Sequence, residues 1–315
     1  MSEIKSPIAK SKFSRGERQN IVSSYDYFLL FLLALIWGSS FMMQKIAVSE
    51  VAPITMTAWR QMIAAVLFVL ILLFAKMQVK ATAYEHFLLF MSAILGTALP
   101  FSLISYGVTQ IDSGLAAILM GAMPLVTIVL AHFTSNDEAL NLTKLFAVGI
   151  GIFGLIVLFW PSLILGVTDN VMAQALVMLA AICYAVNSII TKKIIHLEAP
   201  IVMAIIVLWS VVILVPAALM FENQTWTMPG IEVSAAIVVL AVFPTLVAAF
   251  LMYEVIGRQG AGFFSQINFL VPISGVFMGL IFLGERLSWN AWAALAIILS
   301  GVAVSRRWNS TQKRI

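Results

Sequence analysis

The chain of 315 residues is 62% hydrophobic and only 10% charged, and its mean hydropathy is +1.04. Soluble domains carry about a quarter charged residues, so this composition excludes a water-soluble globule and indicates that lipid is the solvent. The net charge of +4 does not indicate nucleic-acid binding, because no pattern of interleaved aromatic and basic residues accompanies it.

Long apolar runs follow one another along the chain, and runs such as 67–75 and 205–221 show no alternation of apolar and polar positions. In lipid such runs satisfy their backbone polar groups only as helices, and each needs about 20 residues to cross a bilayer. The sequence therefore predicts an all-α integral membrane protein with ten transmembrane helices. The predicted spans are 27–45, 54–75, 86–106, 113–133, 143–160, 171–191, 199–221, 232–254, 260–283 and 289–306.

Lysine and arginine are distributed unequally over the two sides that these spans define. With the N-terminus in the cytoplasm, fifteen of the 18 basic residues lie in cytoplasmic tails or loops. Lys45 and Arg286 lie on the outer side, and Arg60 lies within a span. Cytoplasmic loops are enriched in Lys and Arg, so we expect a multi-pass protein of the cell (inner) membrane with both termini in the cytoplasm. The first run is long enough to span, and we expect it to be retained and not cleaved as a signal.

The two halves of the chain resemble each other. Segment 52–56 recurs as 199–203 at a shift of 147 residues, and a shift of 148 carries Pro124 to Pro272. Each half has five predicted spans, an odd number, so the second half enters the membrane from the opposite side. The sequence thus predicts two inverted five-helix repeats, a common build for secondary transporters. The predicted divisions are a cytoplasmic tail at 1–26, a first repeat at 27–160, a second repeat at 171–306 and a cytoplasmic tail at 307–315.

Several segments carry a family resemblance, the most specific being the Gly-Glu-Arg-Leu motif at 284–287 with its upstream proline. The segments are 37–41, 53–60, 115–124, 262–287 and 297–302. Together they resemble the EamA family of the drug/metabolite transporter superfamily. The resemblance implies ten helices, cytoplasmic termini, a central cavity lined by both halves, and export or exchange of small metabolites, often amino acids. Residues 136–139 depart from the family's glycine-glutamate pair, and Val207 stands where Arg60 would recur, so we expect the halves to bind substrate unequally.

Arg60 is the most informative polar residue in a predicted span. It lies six residues beyond Ile54, which places it about 9 Å along the helix from the outer end. A charge at the bilayer centre costs about 2.5–3.5 kcal/mol on insertion scales, so we expect the side chain to face the bundle interior or a cavity. Its functional interpretation is contact with an anion such as a substrate carboxylate. Snorkelling toward the outer headgroups is the alternative.

Further polar side chains fall within or beside the predicted spans. Trp37, Ser40 and Gln44 share one face of the first helix at spacings of three and four residues, and the repeat places Asn187 on the matching face. Polar groups avoid lipid, so these side chains are expected either to line a cavity or to join helices by hydrogen bonds. The candidate substrate-binding residues are Trp37, Ser40, Gln44, Arg60, Tyr106, Gln110, Asn187, Gln266 and Asn268.

The sequence gives no pattern for catalysis, a metal or a cofactor. It has one cysteine and three scattered histidines, no Walker-type loop, and no carboxylate in the middle of a span to relay protons. These features favour a secondary transporter that exports or exchanges a small polar metabolite, such as an amino acid, by alternating access. The alternative is a membrane-embedded enzyme acting on a lipid or lipid-linked substrate, which would need clustered histidines, paired carboxylates or a nucleophile with a base. The expected partners are membrane lipid and the solute, without nucleic acid, and the oligomeric state stays open.

Overall fold

The computed structural model describes residues 22–77, 81–134, 141–166, 168–194, 196–222 and 226–312, and it describes their side chains except those of residues 168, 169 and 306–312. In these ranges all regular secondary structure is helical. The helices are α1 (Ser24–Ala47), α2 (Pro53–Phe74), α3 (Ala83–Gln110), α4 (Ser113–Thr134), α5 (Leu142–Ile164), α6 (Thr168–Lys193), α7 (Ala199–Phe221), α8 (Ile231–Phe264), α9 (Ile267–Phe282) and α10 (Trp289–Gln312).

Eight helices in the described ranges, α1 to α8, are long and apolar enough to cross a membrane. Two shorter apolar helices follow, α9 and the part of α10 up to Ser305. The all-helical membrane architecture predicted from the sequence is confirmed at this level. Most of the two predicted tails, and residues 136–139, lie outside the described residues or their described side chains.

A left-handed backbone conformation at Gly260 helps to explain why α9 is short. Gly260 has a φ of 79° inside α8, a conformation that glycine adopts far more readily than residues with a Cβ. A turn at Ser265 and Gln266 then precedes α9. The predicted ninth span, 260–283, begins at the first of these breaks, so its residues are divided between the end of α8 and α9.

The two halves of the chain interlock. The most extensive packing joins α5 with α10, α1 with α9, α2 with α7, and α3 with α6, and each of these pairs takes one helix from each half. Because every such contact crosses between the halves, the repeats share one core and do not form two separate globules. Helices from both halves are therefore available around any central site.

Small residues permit a close crossing between α1 and α9. A Cβ added to Gly38 of α1 would lie 2.8 Å from the Gly275 backbone nitrogen of α9, so a side chain there would force the helices apart. The Ser274 hydroxyl donates to the Ala34 carbonyl oxygen at 2.7 Å in the same crossing. The small residue in the 37–41 motif, Gly38, faces Ser274 and Gly275, which gives this motif a packing role.

Two helices of the first half receive their N-terminal caps from carboxylates of the second half. The Glu222 carboxylate accepts from the backbone N–H groups of Ile54 and Thr55, both at 2.8 Å, at the start of α2. The Glu285 carboxylate accepts from the N–H groups of Ser113 and Gly114, at 2.7 and 3.0 Å, at the start of α4. The first N–H groups of a helix have no intrahelical acceptor, so these carboxylates both satisfy the backbone and tie the halves together.

Candidate functional site

Two helices contain π-helical segments at corresponding places of the two halves. The segment in α3 covers Ile94–Ala98 and the segment in α8 covers Ala241–Val247. The shift of 147 residues found in the sequence carries position 94 to position 241. Such segments are rare and occur frequently at functional sites. Their matched positions direct attention to the side chains that contact them.

Arg60 is bound to the π-helical segment of α8. Its side chain is only 2% exposed, and its Nε donates to the Thr245 hydroxyl oxygen at 3.0 Å. The guanidinium carbon lies 3.8 Å from the centroid of the Phe101 ring, which is a cation–π contact. Its Nη1 has no hydrogen-bond partner among the described residues. Arg60 therefore faces the bundle interior, as predicted, and the N–H groups of its Nη1 have no acceptor among the described residues.

The π-helical segment of α3 has the corresponding contact without a charge. The Thr97 hydroxyl donates to the Ala93 carbonyl oxygen at 2.7 Å and is hydrogen bonded to the Ser210 hydroxyl of α7. Thr97 and Thr245 are 148 residues apart, so each half presents a threonine at this place. Val207, which corresponds to Arg60, is fully buried in an apolar cluster. Of the two matched contacts, only the one at the π-helical segment of α8 includes a cation.

Two further aromatic side chains contact groups next to the guanidinium. The ring of Tyr184 lies edge-on to Phe101, with centroids 6.3 Å apart. The indole Nε1 of Trp37 donates to the Pro244 carbonyl oxygen at 3.3 Å, inside the π-helical segment of α8. Trp37 and Arg60 thus contact adjacent residues of one segment, although they come from different helices.

Asn187 supplies an acceptor beside the other π-helical segment. It lies three residues beyond Tyr184 on α6, and its Oδ1 is buried without a hydrogen-bond partner among the described residues. Its amide faces Gly96, where an added Cβ would overlap the amide atoms. The central site is therefore defined by Trp37, Arg60, Phe101, Tyr184, Asn187 and Thr245.

Ser40 and Gln44 use their hydrogen-bonding groups within the helix bundle. The Ser40 hydroxyl donates to the Trp37 carbonyl oxygen of the same helix. The Gln44 amide donates to the Ser40 carbonyl oxygen at 3.1 Å and accepts from the Ser105 hydroxyl at 3.1 Å. Gln44 therefore joins α1 to α3 in this arrangement, which matches the second of the two roles expected for such side chains.

The remaining candidates lie near the two ends of the bundle. Tyr106 is 37% exposed, its hydroxyl donates to the Glu222 carboxylate at 3.0 Å, and Gln110 is the exposed last residue of α3. Gln266 and Asn268 lie at the opposite end, where α9 begins, and Gln266 borders a shallow groove beside α1. The structure thus places Trp37 and Arg60 against the π-helical segment of α8 and Asn187 against that of α3, and it places these four candidates nearer the helix ends.

Sequence reasoning missed several residues that the structure places at the centre. Thr97 and Thr245 could have been found, since the repeat shift relates them. Gln61 could also have been flagged, because it is an amide inside a span; it is fully buried, and neither amide atom has a partner among the described residues. Phe101 gave no signal, because it is one of 21 phenylalanines in an apolar chain.

Acidic side chains are described only toward the helix ends and in loops. They are Asp26, Glu50, Glu85, Asp112, Glu198, Glu222, Glu232, Glu254 and Glu285. Burial and the nearby Glu285 charge raise the pKa of Asp112, in the loop before α4, whereas Lys45 acts to lower it. No ion pair in the described part of the chain involves Arg60. No group of three or more His, Cys, Asp or Glu side chains there could hold a metal ion.

Comparison with known proteins is consistent with this architecture. The model of the EamA-like transporter family matches residues 25–160 and 171–307. The chain is 26% identical over 305 residues to a protein of Escherichia coli K12 named "Probable amino-acid metabolite efflux pump", covering 93% of this chain and 99% of that protein. It is 24% identical over 282 residues to the uncharacterized transporter YoaV of Bacillus subtilis 168, covering 86% and 92%. A solved crystal structure shares the fold with a TM-score of 0.60 at 17% identity, covering 90% of this chain and 98% of that one.

Proposed function

We propose a transport mechanism for this chain, which belongs to the EamA-like transporter family. The chain is a multi-pass membrane protein of a transporter family, and the proposal is that it exports or exchanges a small polar metabolite. An amino acid or a related compound is the proposed substrate, since a relative that spans nearly the whole chain is named an amino-acid metabolite efflux pump. The competing interpretation, a membrane-embedded enzyme, is not supported by the names of these relatives.

The proposed architecture has ten spanning helices in two inverted repeats, 27–160 and 171–306, with both termini in the cytoplasm. Three observations support it: the matched π-helical segments, the two separate family matches, and the excess of basic residues on one side. In such a pair of repeats, one central site can be opened to either side by rocking one unit against the other.

The single observation that carries the proposal is the free Nη1 of Arg60. A guanidinium that is 2% exposed, and whose partners among the described residues are a hydroxyl and a ring face, is suited to receive a carboxylate. Hydrogen bonds to charged groups contribute about 1.5–3 kcal/mol, which is enough to orient a small acid. The rings of Phe101 and Tyr184 would contact the remainder of the solute.

Alternating access requires contacts that can open at each end of the site. At one end, Glu222 and Glu285 bridge the halves through helix caps. At the other end, the Asp26 carboxylate of α1 accepts from Arg258 Nε at 2.6 Å and from Gln259 Nε2 at 2.7 Å, both on α8. In the proposed cycle the contacts at one end break while those at the other end hold, and then the reverse. The central site thereby opens to each side of the membrane in turn.

Reconstituted vesicles test the proposal. Purified protein is inserted into vesicles loaded with an unlabelled metabolite, and uptake of the labelled metabolite is measured over a panel of amino acids and their derivatives. Saturable uptake that is stimulated by the internal metabolite is expected, and Arg60→Ala should abolish it. Ser300→Ala is the control, since Ser300 is exposed on α10 and its hydroxyl donates only within its helix. Non-saturable conductance would indicate a channel instead, and chemical turnover of a lipid would indicate an enzyme.

A further inference from the structure

The charge at the central site is not balanced. Arg60 donates to a neutral hydroxyl of Thr245 and lies over the ring of Phe101, and it takes part in none of the ion pairs formed by the described residues. The acidic side chains that the structure describes lie in loops or toward helix ends. Among the described residues the site therefore carries one unpaired positive charge in a buried environment, which is unfavourable unless an anion accompanies it.

This imbalance discriminates between two kinds of acid. A zwitterionic amino acid would neutralise Arg60 with its carboxylate but would bring an ammonium group into the same buried space. The unpartnered side-chain acceptor beside the π-helical segment of α3, Asn187 Oδ1, belongs to a neutral amide. A buried ammonium requires a carboxylate or several oriented acceptors to offset its lost hydration. An acid without an ammonium group makes the same contact with Arg60 and avoids this cost.

We propose that the solute is an organic monoanion that lacks an ammonium group, such as a hydroxy acid or an N-acylated amino acid. This inference rests on the proposed function and narrows its substrate class. The carboxylate binds Arg60 Nη1, and a hydroxyl or amide N–H of the solute donates to Asn187 Oδ1. The apolar part of the solute contacts Phe101 and Tyr184. Each unpartnered atom on Arg60 and Asn187 thereby receives a partner of the opposite hydrogen-bonding kind.

The charge of such a solute has a consequence for the direction of transport. A monoanion that crosses alone carries one negative charge, so a membrane potential that is negative inside drives it outward. A potential of 100 mV is worth about 2.3 kcal/mol per charge, so at equilibrium the anion is about 50-fold more concentrated outside than inside. The potential alone can therefore drive export of this solute, with no proton relay inside the membrane.

Matched pairs of solutes test the inference on the wild-type protein. Phenyllactate and phenylalanine differ only in a hydroxyl against an ammonium group, as do lactate and alanine. Counterflow in vesicles should be at least tenfold faster for the hydroxy acid of a transported pair. Net efflux of that acid should rise when potassium and valinomycin make the interior negative, and efflux of the amino acid should not respond. Equal or faster movement of the amino acid would overturn the inference and leave the proposed function standing.

Variants of Arg60 supply a second readout. Arg60→Gln supplies an amide N–H donor but removes the charge, so it should abolish the preference for the hydroxy acid. Ser300→Ala should keep that preference. Size-exclusion chromatography shows whether Arg60→Gln folds. If it does not, the matched solute pairs measured on the wild-type protein still test the inference. If no member of any pair and no N-acylated amino acid is moved, the inference fails. The proposed function fails with it only if the wider metabolite panel also shows no counterflow.

Discussion

The Nε of Arg60 donates to the Thr245 hydroxyl oxygen at 3.0 Å, and this bond joins α2 of the first half to the π-helical segment of α8 in the second. The two residues are 185 positions apart in the chain. A solute that binds the free Nη1 of the same guanidinium would therefore pull on a contact between the halves. This arrangement provides a direct physical connection between occupancy of the site and the relative position of the two repeats.

Two substitutions of Arg60 should separate the effect of its planar guanidinium geometry on transport from the effect of its charge. Arg60→Lys keeps a cation but cannot donate to Thr245 and to a carboxylate in the same geometry. We expect about tenfold slower counterflow for Arg60→Lys, equivalent to ~1.4 kcal/mol, and at least 100-fold slower counterflow for Arg60→Ala. Rates are measured in vesicles at equal protein content with Ser300→Ala as control. Wild-type flux in Arg60→Ala would remove this residue from the mechanism.

Thr245→Val tests the contact that holds the guanidinium. Valine has nearly the same shape as threonine but leaves the buried Arg60 Nε without an acceptor, which costs about 1–3 kcal/mol. We expect a lower melting temperature in detergent and slower transport. Thr97→Val is the matched control in the other half, because Ser210 still donates to the Ile206 carbonyl oxygen at 2.8 Å. Equal losses of stability in the two variants would contradict the special role of the charged contact.

The carboxylate of Glu285 should stabilise the molecule by capping α4. Glu285→Gln keeps one acceptor oxygen and loses the other, along with the charge that favours a helix N-terminus. We expect a loss of about 1–2 kcal/mol of stability, measured as a shift of thermal unfolding in detergent. Glu198→Gln is the control, since Glu198 precedes α7 without a side-chain capping bond. A capping role for Glu285 would be ruled out by identical melting temperatures for the two variants.

The contact of Asp26 with Arg258 should keep one end of the site closed. Asp26→Asn replaces a charge-assisted bond with a neutral one of roughly half the strength, so that end should open more often. We expect several-fold faster labelling of Ser40→Cys, in a Cys183→Ser background, by a membrane-impermeant maleimide that is added on the side of the membrane where Asp26 lies. Glu254→Gln, whose carboxylate is exposed and 3.7 Å from Arg258, should label at the original rate. Labelling that does not change in Asp26→Asn would argue against a gating role.

The proposed inverted arrangement of the repeats makes a topological prediction. Ser49 follows α1, Lys193 ends α6, and both are exposed. Single cysteines at these two positions, again with Cys183→Ser, should react with an impermeant reagent from opposite sides of the membrane, because α1 and α6 run in opposite senses in the proposed arrangement. Reaction of both cysteines from the same side would be incompatible with two inverted five-helix units.

The sequence predicted more of the fold than of the site. The apolar runs indicated a helical membrane protein, and the repeat shift of 147 residues relates the two π-helical segments, although the segments themselves were not predicted. Arg60 was correctly expected to face the interior, because a charge in lipid is costly. The partners of Gln44 and Tyr106, which are Ser105 and Glu222, had no signal in the sequence, since nothing in a helical period specifies which neighbour a side chain meets.

The sequence by itself determined that lipid is the solvent, that the fold is helical, that the two halves resemble each other and that the chain resembles a known family. Each of these depends on composition or on local pattern. Only the tertiary structure decided that Arg60 meets Thr245 and Phe101, that Trp37 and Asn187 lie beside the π-helical segments, and that carboxylates of one half cap helices of the other. These contacts depend on the rotation and depth of each helix in the bundle. Rotation and depth follow from packing over the whole core, in which residues more than 100 positions apart must fit together.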